Sequence, residues 1–404
     1  MRQVDPESVG LCAERLERLD AHLKAYVDDG RLPGWQVLLT RRGRIAHNRC
    51  YGQRDVEGGK PVKTDSLFRI YSMTKPIVSV ALMMLYERGL FQLDDPIDRV
   101  LPAFKDMTVF VGGDADNPQT VPAERGITYR DLLTHTAGLT YGFMQEHPVD
   151  ALYRANKLNS PRLTNAEFVE RLGALPLRFQ PGSRWSYSVA TDVIGHLVEV
   201  LSGERLDHFL EKEIFSPLGM QDTAFSVPPG QLDRFSACYE YTGPGRFRRQ
   251  DGVEDSTYRE PPAFLSGGGG LVSSAVDYAR FCQVILGGGA FEGVRLLGRK
   301  TVDLMGLNHL PTGGDLTSMG QPVFSETRYD GIGFGLSFSV VLDPAKAQVT
   351  GSPGELAWGG MASTAFWIDR SEDLAVVFMT QLLPSAAYPL RRALRVLVNQ
   401  ALID

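Results

Sequence analysis

The sequence predicts an α+β fold: an antiparallel sheet built from both chain ends and flanked by helices, with a mainly helical region inserted between them. Three observations carry this prediction. Near the N-terminus, β-prone runs at Trp35–Thr40 and Ile45–Tyr51 flank the Gly-containing turn Arg41–Arg44 and read as a hairpin. Near the other end, Gly335–Val341, Leu356–Ile368 and Leu374–Thr380 read as three antiparallel strands, the last two joined by the polar turn Asp369–Asp373. Most of the chain between them repeats apolar residues at helical spacing.

In chain order, Cys12–Asp29 places Leu16, Leu19, Leu23, Tyr26 and Val27 on one helical face, with Gly30 as a stop. The hairpin follows. Helices are predicted at Lys75–Glu87, Tyr129–Thr134, Asn165–Leu172, Ala190–Leu201, Leu206–Phe215 and Ala275–Leu286. Polar loops fall at Gly112–Gly126, Val227–Pro262 and Gly306–Asp330, and an amphipathic helix over Ala386–Leu402 closes the chain. The expected division is a discontinuous sheet domain, residues 1–75 and 325–404, and a mainly helical domain with long loops, residues 76–324. A sheet assembled from distant segments implies one cleft between the two, where an active site would sit.

With 404 residues and 43% apolar composition, the chain can bury a large core without disulfides or metals. Its net charge of −6 argues against nucleic acid or an anionic membrane as partner. The densest basic patch, Arg246–Arg249, lies in a Gly/Pro-rich stretch and reads as a solvated loop. Cys12, Cys50, Cys238 and Cys282 are far apart and form no CxxC pair, which suits buried free thiols in a reducing compartment. The N-terminal stretch has no apolar core of a secretory signal, and the apolar run Ile77–Leu85 is too short to span a bilayer. A cytoplasmic location is therefore expected.

The chemistry centres on Tyr71-Ser72-Met73-Thr74-Lys75-Pro76 at the start of an apolar helix. The SxxK spacing puts a hydroxyl and an amine on one helical face, a turn apart. A helix N-terminus adds free N–H groups and the positive end of the helix dipole, a setting for an oxyanion. A serine hydroxyl is a weak nucleophile until a neighbouring base takes its proton. SxxK alone is a short pattern, but it occurs here once and between a strand and a helix. Tyr187 lies in Arg184-Trp-Ser-Tyr-Ser-Val-Ala-Thr-Asp, just before another apolar helix, where by itself it reads as a packed tyrosine. Trp358-Gly359-Gly360 sits on a predicted strand. Two glycines there require close approach of backbone or ligand, or mark a bulge.

Together these residues make the chain similar to the serine β-lactamase and penicillin-binding-protein superfamily, on the class C side, and it resembles most the family VIII carboxylesterases. The resemblance runs along most of the chain: Ser72-Met-Thr-Lys75-Pro, Leu90-Phe-Gln-Leu-Asp-Asp-Pro, Ile127-Thr-Tyr-Arg-Asp-Leu-Leu-Thr-His-Thr-Ala-Gly-Leu, Tyr187-Ser-Val-Ala, Gly268-Gly-Gly-Leu and Trp358-Gly-Gly. It implies a β-lactamase/DD-peptidase-like fold and an acyl-enzyme on Ser72. Lys75 and Tyr187 would share the proton work, with either open as the general base. The oxyanion would be held by the backbone N–H groups of Ser72 and Met361, and the substrate lined by Trp358, Gly359, Gly360 and Tyr141.

The departures narrow the substrate. The family's Tyr-x-Asn is Tyr187-Ser188-Val189 here, and its Lys-Thr-Gly is Trp358-Gly359-Gly360. The amide and the cationic partner for a lactam carboxylate are missing, and an aromatic wall replaces them. A carboxylesterase for short- to medium-chain acyl esters is expected, its partner a small-molecule ester and its oligomeric state open. A β-lactamase, a D-amino-acid peptidase, an acyltransferase and a non-catalytic binding module are the rivals.

Other patterns carry less. No G-x-S-x-G appears. The seven histidines form no metal-ligand spacing, so no metal is expected, and an acyl-enzyme needs no cofactor. His135 reads as a capping and turn element, the Ser266–Gly270 run as a backbone turn, and Asp94-Asp95 as a loop and cap pair.

Overall fold

A computed structural model describes residues 1–319 and 329–404. Eight antiparallel strands form the main sheet. They are β1 (Gly34–Arg41), β2 (Arg44–Asp55), β3 (Lys60–Pro61), β4 (Ile332–Phe334), β5 (Ser339–Val341), β6 (Leu356–Gly359), β7 (Ala365–Asp369) and β8 (Leu374–Met379), in spatial order β4-β5-β6-β7-β8-β1-β2-β3. The two chain ends meet where β8 pairs with β1, with Leu38 opposite Val377. β1 and β2 turn through Arg42 and Gly43, at φ 51° and 70°, the positive-φ pair that a tight two-residue hairpin needs.

Every residue of β1 is buried because helices cover both faces of the sheet. Along it the side chains alternate. Leu38 joins the large core shared with α2 (Thr74–Glu87), α3 (Ala190–Ser202) and α4 (Ala275–Leu286). Val37 and Leu39 point the other way, to α1 (Ala13–Asp28) and α5 (Leu390–Asn399). α4 packs directly on β1, β7 and β8. α2 is buried along its whole length from Thr74 to Leu85, which explains its apolar character on all sides.

The helices predicted from periodicity form within one or two residues of their expected ends, except Leu206–Phe215, which passes into a π turn at Glu211–Phe215, and the last helix, confined to Leu390–Asn399 after Pro389. The C-terminal strands need correction. Leu356–Ile368 is two strands, β6 and β7, folded back at Gly360–Thr364 with Ser363 at φ 67°. Gly335–Val341 supplies only β5. Its first residues turn back from β4, with Ser337 at φ 73° and its N–H held by the Leu133 carbonyl at 3.0 Å. The β-prone residues on both sides of each turn hid it, although Gly359-Gly360 and Gly335 stand at the bends.

Two of the expected loops contain hairpins: Thr108–Gly113 with Pro118–Pro122, and Cys238–Gly243 with Arg246–Asp251. The basic patch Arg246–Arg249 therefore lies on a strand, where Arg248 pairs with Glu240 across it at 2.6 Å. The expected loop Gly306–Asp330 contains a short helix, Leu316–Met319; its residues 320–328 lie outside the described residues.

Candidate active site

Ser72 lies in a single turn, Tyr71–Met73, that feeds α2. Tyr71 takes φ 43°, a conformation that non-glycine residues avoid, so the surroundings must hold it there. They do so from several sides. The Tyr278 hydroxyl on α4 donates to the Met73 carbonyl at 2.9 Å, and Ile70 N donates to the Leu271 carbonyl at 3.1 Å. Leu271 N donates to Thr74 Oγ1, also at 3.1 Å. The nucleophile candidate thus sits just ahead of a buried helix, pinned by the segment that follows the tetraglycine run.

Lys75 is 1% exposed. Its amine donates to Ser72 Oγ at 3.2 Å and to the Gly268 carbonyl at 2.6 Å. The amine lies 4.5 Å from the ring centroid of Tyr187 and 5.4 Å from that of Tyr141. Both rings offer it a π face, a contact that favours a cation where water is excluded. Sequence-distant Tyr187 is therefore at the amine. Its phenol oxygen accepts the Trp358 indole N–H at 3.4 Å, a long bond.

Trp358 was expected as an apolar wall. It lines the cleft and also touches the phenol oxygen of Tyr187, while its ring stands edge-on to Phe334 at 5.3 Å. Tyr141, Gly359, Gly360 and Met361 line the same cleft as Ser72 and Tyr187. Of the expected reasons for the two glycines, close approach of protein atoms is seen. A Cβ at 360 would stand 2.3 Å from Thr364 Oγ1 and 2.5 Å from the Ile70 carbonyl, and one at 359 would stand 2.5 Å from the Arg391 guanidinium. Glycine lets the end of β6 close onto the turn that carries Ser72. Met361 follows at the fold-back, 45% exposed.

Two groups were missed. The Gly268 carbonyl belongs to a run read as a plain turn, and Asp192 was passed over as part of a helix. Asp192 is buried on the first turn of α3 and accepts the Ser266 hydroxyl at 2.5 Å and the Gly268 N–H at 2.9 Å. An acid among Val193, Ile194, Leu197 and Val198 was the available signal. Burial raises its pKa, opposed by the Lys75 charge and these two hydrogen bonds. Burial, then the Lys75 charge, pushes His135 well below the usual imidazole range, so the ring behind Tyr187, 5.0 Å between centroids, is neutral at pH 7. Burial, then Tyr187 and Asp192, pushes Tyr141 well above the usual phenol range.

Among the described residues the cleft measures about 660 Å³ and is mostly apolar, with Phe225, Tyr258 and Phe264 lining it along with Trp358. No group of three or more His, Cys, Asp or Glu among the described residues could hold a metal ion, and no helix is long and apolar enough to cross a membrane. All four cysteines are free.

The β-lactamase family profile matches residues 19–400. The chain belongs to the β-lactamase family. This β-lactamase-family protein is 33% identical to esterase EstB of Burkholderia gladioli over 395 residues, 93% of each chain. Its structure matches that of EstCE1, described as a hydrolase with promiscuous acyltransferase activity, with a TM-score of 0.77 and 28% identity over 95% of this chain and 98% of the other. It matches simvastatin synthase from Aspergillus terreus with a TM-score of 0.81 and 28% identity, covering 96% and 97%. The β-lactamase-family protein stands with the family VIII esterases within the serine β-lactamase and penicillin-binding-protein superfamily, and it is a hydrolase of that fold.

Proposed function

We propose that this hydrolase is a serine carboxylesterase that cleaves short- to medium-chain acyl esters through an acyl-enzyme on Ser72. The observation that carries this is the Lys75 amine, bonded to Ser72 Oγ at 3.2 Å and facing the Tyr187 ring at 4.5 Å, at the wall of an apolar cleft. Ser72 Oγ attacks the ester carbonyl and its proton passes to the Lys75–Tyr187 pair. The oxyanion is received by the backbone N–H groups of Ser72 and Met361, each such donor worth about 3–4 kcal/mol in the transition state. Collapse expels the alkoxide, which takes the proton back. Water then repeats the sequence on the acyl-enzyme, losing its proton to the same pair. We place this site in the cleft between a sheet domain, residues 1–75 and 325–404, and the insert, residues 76–324.

Trp358-Gly359-Gly360 and Tyr187-Ser188-Val189 favour neutral esters over carboxylate-bearing lactams. The esterase relative supports hydrolysis. The acyltransferase activity of EstCE1 favours a second reading in which an alcohol replaces water in the last step. The test is turnover of p-nitrophenyl acetate and butyrate, with and without added alcohols, by wild type and Ser72→Ala. Loss in the variant, with a fluorophosphonate adduct on Ser72 of the wild type, is expected. Retained turnover in Ser72→Ala excludes Ser72 as nucleophile.

A further inference from the structure

Asp192 is a buried carboxylate, 3% exposed, that the chemistry above does not use. It shares one segment with Tyr187, five residues upstream at the start of α3. From there it reaches across to the Ser266–Gly270 run and takes the Ser266 hydroxyl and the Gly268 N–H on one oxygen, Oδ1. Gly268 then presents its carbonyl to Lys75. The fit is close: a Cβ at 268 would lie 2.6 Å from Asp192 Oδ2 and 3.0 Å from the Tyr141 hydroxyl.

We propose that Asp192 is a positioning residue for Lys75: it holds the glycine run so that the Gly268 carbonyl receives the amine. This rests on the reading of Ser72, Lys75 and Tyr187 as the reacting set. The titratable groups around it are Lys75 from α2, Tyr141 from the loop that follows Leu139, Tyr187 from the segment that leads into α3, and His135 behind Tyr187. Burial keeps His135 and Tyr141 neutral, so the cation that Asp192 answers is Lys75. Tyr187 lies three residues before α3 and Asp192 in its first turn, so one short stretch of chain carries both the phenol and the amine's support.

Asp192→Asn keeps an oxygen acceptor and the shape but removes the charge. Ser266→Ala removes one of the two bonds. The readouts are the rate at which a fluorophosphonate labels Ser72, which needs no natural substrate, and p-nitrophenyl butyrate turnover, both from about pH 5 to about pH 9. We expect Asp192→Asn to slow labelling and kcat about tenfold or more with KM within about twofold, since small misplacements of a reacting group are costly. A fall in kcat with KM held is the split that a misplaced amine gives and a loosened substrate cleft does not. Ser266→Ala is expected to slow labelling and kcat by less. A wild-type rate in Asp192→Asn, or in Ser266→Ala if the first does not fold, overturns the proposal. So does a fall in kcat matched by a rise in KM, which a merely structural role would give. Ser72→Ala is run beside them. Labelling and turnover that survive there overturn Ser72 as nucleophile. Their loss there, with Asp192→Asn unchanged, overturns the positioning role alone.

Discussion

The amine of Lys75 is held more closely by the carbonyl of Gly268, at 2.6 Å, than by the hydroxyl of Ser72, at 3.2 Å. The backbone acceptor lies 193 residues from the lysine in sequence and can neither turn nor give up a proton, so it anchors the amine while leaving Ser72 free to react. Lys75→Ala removes the anchored amine and leaves a cavity beside two aromatic rings. Ester turnover is expected to fall by about 10²–10⁴ with the fold retained, as for loss of a positioned acid–base group. Steady-state kinetics together with circular dichroism check this; turnover within tenfold of wild type would remove Lys75 from the proton path.

Gly360→Ala tests how closely β6 approaches the Ser72 turn. The added Cβ meets Thr364 Oγ1 at 2.3 Å and the Ile70 carbonyl at 2.5 Å. The first is a side chain that can rotate; the second is backbone next to the strained Tyr71. Overpacking of this kind costs about 1–3 kcal/mol. A lower Tm is expected, and kcat should fall further than Tm alone explains. Unchanged Tm and kcat would show that the strand end has slack.

Trp358→Phe keeps an aromatic wall but deletes the indole N–H at the Tyr187 oxygen. The bond is long, and a neutral bond of this class contributes about 0.5–1.5 kcal/mol. A fall in kcat of about two- to tenfold is expected, with KM nearly constant because the wall remains. A change confined to KM would mean that Trp358 acts on the substrate and not on Tyr187.

Away from the cleft, Asp277 on α4 provides a pH test of stability. Burial raises its pKa from 3.8 to about 6, although Asp222 N–H and the Thr223 hydroxyl both donate to it. A carboxyl with a raised folded-state pKa stabilises fully below its unfolded pKa, and that contribution is lost as pH rises through the folded one. Urea melts should therefore show wild type losing about 2–3 kcal/mol relative to Asp277→Asn between about pH 4 and about pH 7. A constant difference between the two proteins across that range would contradict the raised pKa.

The Ser72–Lys75 pairing was legible because helix geometry is local. Three residues along one helix is a fixed separation, whatever the rest of the chain does. The helices were legible for the same reason, since their period is written in Leu16, Leu19 and Leu23 or in Val193, Leu197 and Val198. The fold-backs at Gly360–Thr364 and Gly335–Ser337 were not, because β-prone residues stand on both sides of each and a glycine in a strand pattern reads equally as a bulge. The first is closed by Gly360 N–H donating to the Thr364 carbonyl at 2.9 Å, and the second is held by the Leu133 carbonyl, far away in sequence.

The sequence by itself determined that a serine and a lysine share the first turn of a buried helix, and that strands from both chain ends could pair. Only the tertiary structure decided what surrounds them. It brought the ring of Tyr187 and the carbonyl of Gly268 to the same amine, put Asp192 behind that carbonyl, and gave Gly359 and Gly360 a task in protein packing. Covalent geometry sets positions within a turn of helix. Placing groups separated by a hundred residues or more depends on how α2, α3, β6 and the glycine run pack against one another, and no short pattern of residues encodes that.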